Sequence, residues 1–98
     1  MTLEELQKDW QQYAIDIDVE FKKEDTKVKH FFVLKNVFSA CFYSEEDDCL
    51  MFDTGAWNGI VRYFRCDEED NCYMKFPPKY GIGEWKWIMI GKFVKLSK

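Results

Sequence analysis

Histidine is nearly absent from this sequence, and its scarcity limits the chemistry that the chain can perform. The single histidine, His30, lies in the strand-like run KVKHFFVL, a setting more typical of a structural than of a catalytic residue. No phosphate-binding loop is present, because Gly81 and Gly83 are followed neither by a helical pattern nor by a Lys-Ser/Thr pair. A cysteine–histidine pair would require the fold to bring His30 beside a thiol. The sequence therefore predicts that the protein is not an enzyme.

Long apolar runs and targeting signals are also missing. No stretch approaches the ~20 apolar residues that a membrane-spanning helix requires. The N-terminus, MTLEELQK, has neither the apolar run nor the small-residue cleavage site of a secretory signal. We expect a cytoplasmic protein (in the host cytoplasm if the source is viral) with no membrane partner and with cysteines that are thiols.

The four cysteines do not have the spacing of a common zinc site. Seven residues separate Cys41 from Cys49, and five separate Cys66 from Cys72, whereas structural zinc sites use pairs two to four residues apart. A short loop would nevertheless place Cys66 opposite Cys72, which leaves a small metal-binding protein with a four-cysteine site as an alternative. The acidic run DEEDN lacks the residue order of a calcium loop. No metal or cofactor is predicted.

Hydrophobic and aromatic residues, in contrast, are abundant. They make up 47% and 18% of the 98 residues, which is ample for one folded domain spanning residues 1–98 and excludes wholesale disorder. Nine Phe, five Tyr and four Trp exceed what so short a chain needs for a minimal core. Some of these rings are therefore expected on the surface, where exposed apolar area marks an interface.

The pattern along the chain predicts an α+β fold. Thr2 and Glu5 form a capping box for a helix over residues 3–14, and an antiparallel β region follows over residues 15–96. Alternating apolar and acidic residues from Ile15 to Phe21 predict its first strand. Further strands are predicted at 28–34, 37–43, 49–52, 60–66, 72–76, 85–90 and 92–96, with a tight turn or bend at Lys35-Asn36 and a bulge or kink at Gly91. The helix should pack on a curved sheet, or on a small partly open barrel, of about six to seven strands.

Two similar acidic segments, SEEDDCLM and DEEDNCYM, each lie between two predicted strands. Both should form hairpin tips, and neighbouring hairpins would bring eight carboxylates close together. The predicted partner-binding residues are Glu45, Glu46, Asp47, Asp48, Asp67, Glu68, Glu69 and Asp70. Mutual repulsion disfavours such a cluster unless a cationic partner relieves it. Ordinary solubilising turns are the alternative interpretation.

These features favour stoichiometric protein binding over catalysis. We expect an inhibitor or adaptor whose acidic tips engage a partner with a basic surface, including a nucleic-acid-binding groove where the carboxylates would stand in for phosphates. A phage-encoded inhibitor of a host defence or nucleic-acid-handling complex fits this description by type, not by family resemblance.

The C-terminal segment supports a different hypothesis, single-stranded nucleic-acid binding through Lys79, Tyr80, Trp85 and Lys86. In WKWIMI, Trp85, Trp87 and Met89 share one face of the predicted strand, and Lys86, Ile88 and Ile90 share the other. Two largely apolar faces are typical of a central, buried strand. We therefore expect the tryptophans in the core and no direct nucleic-acid binding.

Overall fold

Helix α1 (Leu3–Asp9) opens the chain and starts where the sequence predicts, because the Thr2 hydroxyl accepts a hydrogen bond from the Glu5 amide at 3.1 Å. A 3-10 turn, Trp10–Gln12, follows it, and β1 begins at Tyr13, so the helix is shorter than the predicted 3–14. The computed structural model describes residues 1–17, 31–55, 61–78 and 82–96, and only the backbone of Phe32. The predictions for 18–30, 56–60, 79–81 and 97–98, His30 included, lie outside the described residues.

Seven strands form one antiparallel sheet among the described residues. They are β1 (Tyr13–Ile17), β2 (Phe31–Val33), β3 (Ala40–Ser44), β4 (Cys49–Asp53), β5 (Val61–Cys66), β6 (Asn71–Phe76) and β7 (Lys86–Lys95). Their order is β2-β1-β7-β6-β5-β4-β3, and the sheet curls into a half-barrel. The predicted α+β class, with a short N-terminal helix on a curved antiparallel sheet, is confirmed.

The core fills the inner side of the curl. Phe38, Phe52, Phe64 and Phe93 form a chain of ring contacts with centroids 5.1–6.3 Å apart, and all four are buried. Leu6 of α1 and Leu34 close this cluster from the helical side. Burial of these side chains stabilises the curl, since each large apolar side chain contributes roughly 1.5–3 kcal/mol.

Two local predictions need correction. Leu34–Val37 forms a short helix, α2, instead of strand ends joined by a turn at Lys35-Asn36. The amide of Phe38 donates to the Leu34 carbonyl at 2.9 Å, and both side chains are buried. At the other end of the chain, β7 is one strand and not two. The irregularity predicted at Gly91 is confirmed as a register shift: Cys72 pairs with Gly91 but Tyr73 pairs with Met89, which leaves Ile90 as the extra residue of a bulge.

Candidate interaction surface

Both acidic segments form hairpin tips at the same end of the sheet. Residues 45–48 join β3 to β4, residues 67–70 join β5 to β6, and β4 pairs directly with β5. Two neighbouring hairpins must turn at the same end of an antiparallel sheet. We call residues 45–48 the first tip and residues 67–70 the second tip.

The aspartates of the first tip form hydrogen bonds and an ion pair with other residues of the protein. Asp47 forms an ion pair with Lys75, with 3.0 Å between Oδ1 and Nζ. The Tyr43 hydroxyl donates to Asp48 Oδ1 at 2.6 Å, and this bond raises the pKa of Tyr43. The Arg65 guanidinium donates to the carbonyl oxygens of both aspartates. These bonds fasten the tip to strands β3, β5 and β6.

The aspartates of the second tip are also engaged. Asp67 accepts hydrogen bonds from the amides of Glu69 and Asn71, the Asn71 side chain and the Tyr73 hydroxyl, at 2.8–3.1 Å. These donors, the Asn71 side chain first, lower the pKa of Asp67. Asp70 Oδ1 lies 3.0 Å from the α-amino nitrogen of Met1. Asp48 and Asp70 have φ angles of 48° and 67°, a conformation that aspartate tolerates in turns.

The glutamates of the tips differ from the aspartates. Glu45, Glu46, Glu68 and Glu69 are exposed, and their side chains have no hydrogen bond or ion pair with the described part of the chain. The predicted set of eight acids thus separates into four aspartates that stabilise the turns and four glutamates that face solvent. Only the glutamates are free to meet a cationic partner without disrupting the tips.

The outer face of the sheet is a second surface, whose location the sequence pattern did not predict. Cross-strand partners share a face: Phe42 pairs with Met51, Met51 with Tyr63, and Lys75 with Trp87. Lys75 Nζ lies over the Tyr63 ring, which joins these pairs into one row across β3 to β7. Arg65, Tyr73 and Met89 form the neighbouring row. Both helices contribute to the core on the inner side instead. We call these two rows, with Trp85, the outer face.

Aromatic and cationic side chains interlock on the outer face. The Arg65 guanidinium lies over the Trp87 ring, 4.3 Å from its centroid. Lys75 Nζ lies 5.9 Å from the ring centroids of both Tyr63 and Trp87. Trp85 contacts Tyr63 edge to face, and the two rings with Lys75 and Asp47 line a shallow depression of about 150 Å³. Both cations are therefore already held by rings and by the first tip.

The outer face corrects the prediction that Trp85 and Trp87 belong to the core. Trp85 is 50% exposed and Trp87 is half-buried under Arg65. The central position of β7, between β1 and β6, is as predicted, but Met89 remains 44% exposed on its outer side. Lys86 is exposed, and Lys79 and Tyr80 lie outside the described residues. The missed signal was the alternation in VRYFRC and NCYMKF, which places tyrosines and cations opposite the buried Phe64 and Cys72.

The cysteines are free thiols dispersed over the sheet. Cys66 and Cys72 are cross-strand partners, as the loop length predicted, whereas Cys41 pairs with Phe52 and Cys49 with Ser44. Burial raises the pKa of Cys41 to about 12. Within the described residues, which include all four cysteines, no three His, Cys, Asp or Glu side chains converge as metal ligands would. This arrangement gives no support to a metal site with four cysteine ligands.

In the described ranges, neither helix has the length and apolar character needed to cross a bilayer. Comparison with known proteins finds no matching family model, no matching curated protein and no matching solved structure.

Proposed function

We propose that this protein is a small protein-binding module, a stoichiometric inhibitor or adaptor that meets a basic partner through its acidic tips. The observation that carries the proposal is the set of four exposed glutamates at one end of the sheet, Glu45, Glu46, Glu68 and Glu69. Arginines or lysines of a partner would neutralise these carboxylates, whereas the aspartates between them hold the backbone of the tips in place. The site would thus be preorganised.

The outer face supplies the apolar component that an acidic rim alone lacks. Phe42 is 54% exposed and lies on β3, the strand that leads into the first tip. Tyr, Trp, Met and Arg are enriched at the centres of protein interfaces, and charged residues dominate their rims. Apolar anchoring on the outer face, with electrostatic steering from the glutamates, would give both affinity and fast association.

A nucleic-acid-binding groove is the class of basic surface that fits best. Carboxylates spaced over two neighbouring tips could occupy the places of successive phosphates. The protein would then compete with DNA or RNA for its partner. A phage-encoded inhibitor of a host defence or nucleic-acid-handling complex, acting in the host cytoplasm, is the biological setting that we propose.

Paired charge variants test the contact surface. The variants E45Q/E46Q and E68Q/E69Q each remove two exposed carboxylates from a tip, and E4Q/E5Q removes the same charge from two exposed, consecutive glutamates of α1. Immobilised wild-type protein and the three variants would be exposed to candidate host extract, and retained proteins identified by mass spectrometry. The association rate of the purified partner would then be measured at low and moderate salt.

We expect both tip variants to slow association by roughly tenfold at low salt, with less effect at moderate salt, and the α1 variant, which removes the same charge outside the tips, to slow it much less. A partner whose association responds neither to the tip variants nor to salt would contradict the proposal. Competition by nucleic acid for the same partner would identify its groove as the target.

A second function, single-stranded nucleic-acid binding, is favoured by one observation, the exposed Trp85 beside the Arg65–Trp87 stack. We do not expect it, because Asp47 neutralises Lys75 and the glutamates would repel phosphate. Fluorescence anisotropy with labelled single-stranded oligonucleotides decides the matter. Binding that weakens steeply with salt and loses roughly 1–3 kcal/mol on Trp85→Ala would replace the preferred function.

A further inference from the structure

Cys66 and Cys72 face each other at the base of the second tip. They are Cα partners in the last pair of the β5–β6 ladder. Cys72 is fully buried, and Cys66 is partly exposed. The proposed function uses neither thiol, so their juxtaposition calls for a separate explanation.

The ladder places these two residues in the kind of pair that a disulfide can bridge. The Asp67 amide donates to the Asn71 carbonyl at 3.3 Å, so residues 67 and 71 belong to a hydrogen-bonded site. Hydrogen-bonded and non-hydrogen-bonded pairs alternate, and the latter have Cα atoms ~4.5 Å apart and the closer side chains. Cys66 and Cys72 form the next, non-hydrogen-bonded pair. Disulfides span Cα separations of roughly 4.4–6.8 Å, a range that includes the typical separation of such a pair.

The other two cysteines provide a built-in comparison. Cys41 shares a face with its partner Phe52, whereas Cys49 lies three residues before Phe52 on β4 and therefore points to the opposite face. These two thiols cannot be joined without disrupting the hairpin. The fold thus allows a disulfide between Cys66 and Cys72 but not between Cys41 and Cys49.

We propose that Cys66 and Cys72 form a cross-strand disulfide on reaction with a small-molecule disulfide of the glutathione type. The Cys66 thiolate attacks one sulfur of oxidised glutathione, which forms a mixed disulfide and releases one glutathione thiolate. Cys72 then loses its proton and its sulfur attacks Cys66 Sγ, which releases the second glutathione. Two cysteine thiols are oxidised, and one disulfide is reduced to two thiols that take up the two protons.

The order of attack follows from exposure, since only Cys66 is accessible to the oxidant. Burial raises the pKa of both thiols, to a greater extent at Cys72, and the nearby α-amino group of Met1 partly offsets the effect at Cys66. The thiolate is the nucleophile, so the reaction accelerates as the pH rises. The product would link β5 to β6 directly beneath Glu68 and Glu69.

Peptide mapping of the native protein tests the assignment. The reduced protein would be incubated with oxidised glutathione at mildly alkaline pH, then alkylated with iodoacetamide in denaturant and digested with trypsin. Cleavage after Arg65 and Lys75 puts Cys66 and Cys72 in one peptide, and cleavage after Lys35 and Arg62 puts Cys41 and Cys49 in another. Mass spectrometry then shows, in one experiment, whether each cysteine pair is oxidised or alkylated.

We expect peptide 66–75 to lose two hydrogen atoms and peptide 36–62 to carry two alkyl groups. Two alkyl groups or two glutathiones on peptide 66–75, or equal oxidation of both peptides, would overturn the proposal. The single variants test the order of attack: C72S should retain one glutathione at Cys66, and C66S should take up almost none. Equal uptake by the two variants would contradict the assigned roles.

Discussion

Aspartate and glutamate carry the same charge, but in the acidic tips the length of the side chain decides what each one contacts. The short aspartate side chains accept hydrogen bonds from amides and hydroxyls of their own hairpins, as Asp67 does from three neighbouring residues, or pair with cations from elsewhere in the chain, as Asp47 does with Lys75. The longer glutamate side chains extend into solvent. Aspartate's preference for turns could have predicted this division from the sequence. The particular donors, such as Lys75 and Tyr73, depend on strand register and could not be predicted.

Replacing Asp67 with alanine should destabilise the protein, because four hydrogen bonds to one carboxylate are lost. We expect the thermal unfolding midpoint to fall by a few degrees. Glu68→Ala, the adjacent exposed acid, serves as the control and should leave the midpoint nearly unchanged. Equal effects of the two substitutions, measured by circular dichroism, would show that Asp67 has no special role.

The pH dependence of this difference has a defined sign. Hydrogen bonds lower the pKa of Asp67 in the folded protein below 3.8, the ordinary value for an aspartate side chain. The stabilisation that ionised Asp67 provides is therefore fully present above pH 3.8, and it is lost as the pH falls through the lower pKa of the folded state. The wild type and the Asp67→Asn variant should thus become more alike in stability below about pH 4. Urea unfolding across this range measures the convergence.

At the scale of elements, β7 organises the sheet because it pairs with β6 along one edge and with β1 along the other. Its bulge shifts the register within the β6–β7 ladder, between Cys72 and Tyr73, whereas the β1–β7 ladder keeps one register. Gly91 allows β1 to pass close by. A Cβ added at Gly91 would overlap the carbonyl group of Asp16. Glycine at this position is therefore required by close backbone approach and not by a positive φ.

Gly91→Ala should consequently lower the free energy of unfolding by about 1–3 kcal/mol, the usual cost of overpacking a well-packed site. Lys92→Ala, at the next and exposed position, is the control, with an expected change within about 0.5 kcal/mol. Urea denaturation of both variants provides the measurement. A fully stable Gly91→Ala protein would mean that β1 can shift away from β7.

Periodicity predicted most strands but failed at α2 for a clear reason. Leu34 and Phe38 are four residues apart, a spacing that places two side chains on one face of a helix and equally on one face of a strand. Tertiary packing determines that this segment is helical, since α2 contacts β1, β2 and the 3-10 turn. The exposed outer face was missed similarly, because an apolar face of a strand does not reveal whether anything covers it.

At the scale of the whole molecule, the charge is concentrated at one end. The net charge is only −4, yet the two tips place eight acids at the same end of the sheet. Lys75 and the α-amino group of Met1 compensate two of them. The remaining repulsion should decrease as salt screens it.

Removing the four exposed glutamates should therefore stabilise the protein, and most strongly at low salt. We expect the variant E45Q/E46Q/E68Q/E69Q to unfold a few degrees higher than the wild type in dilute buffer. The difference should largely disappear at high ionic strength. Thermal unfolding at several salt concentrations checks this. The variant E4Q/E5Q is the comparison: it also removes negative charge, but from the first turn of α1, where acids stabilise the helix, so it should not gain stability. A quadruple variant less stable than the wild type would indicate that the glutamates support the fold.

The exposed indole of Trp85 on the outer face also allows the protein's own fluorescence to report binding. Trp85 is half exposed to water, whereas Trp10 packs against the core and meets the Phe52 ring edge to face. A molecule that settles on the outer face would remove water from the indole of Trp85 and shift its emission to shorter wavelength. Trp10 would contribute a constant signal until the protein unfolds. Occupancy of this surface could thus be followed in solution without any attached dye, even before the identity of the binding molecule is known.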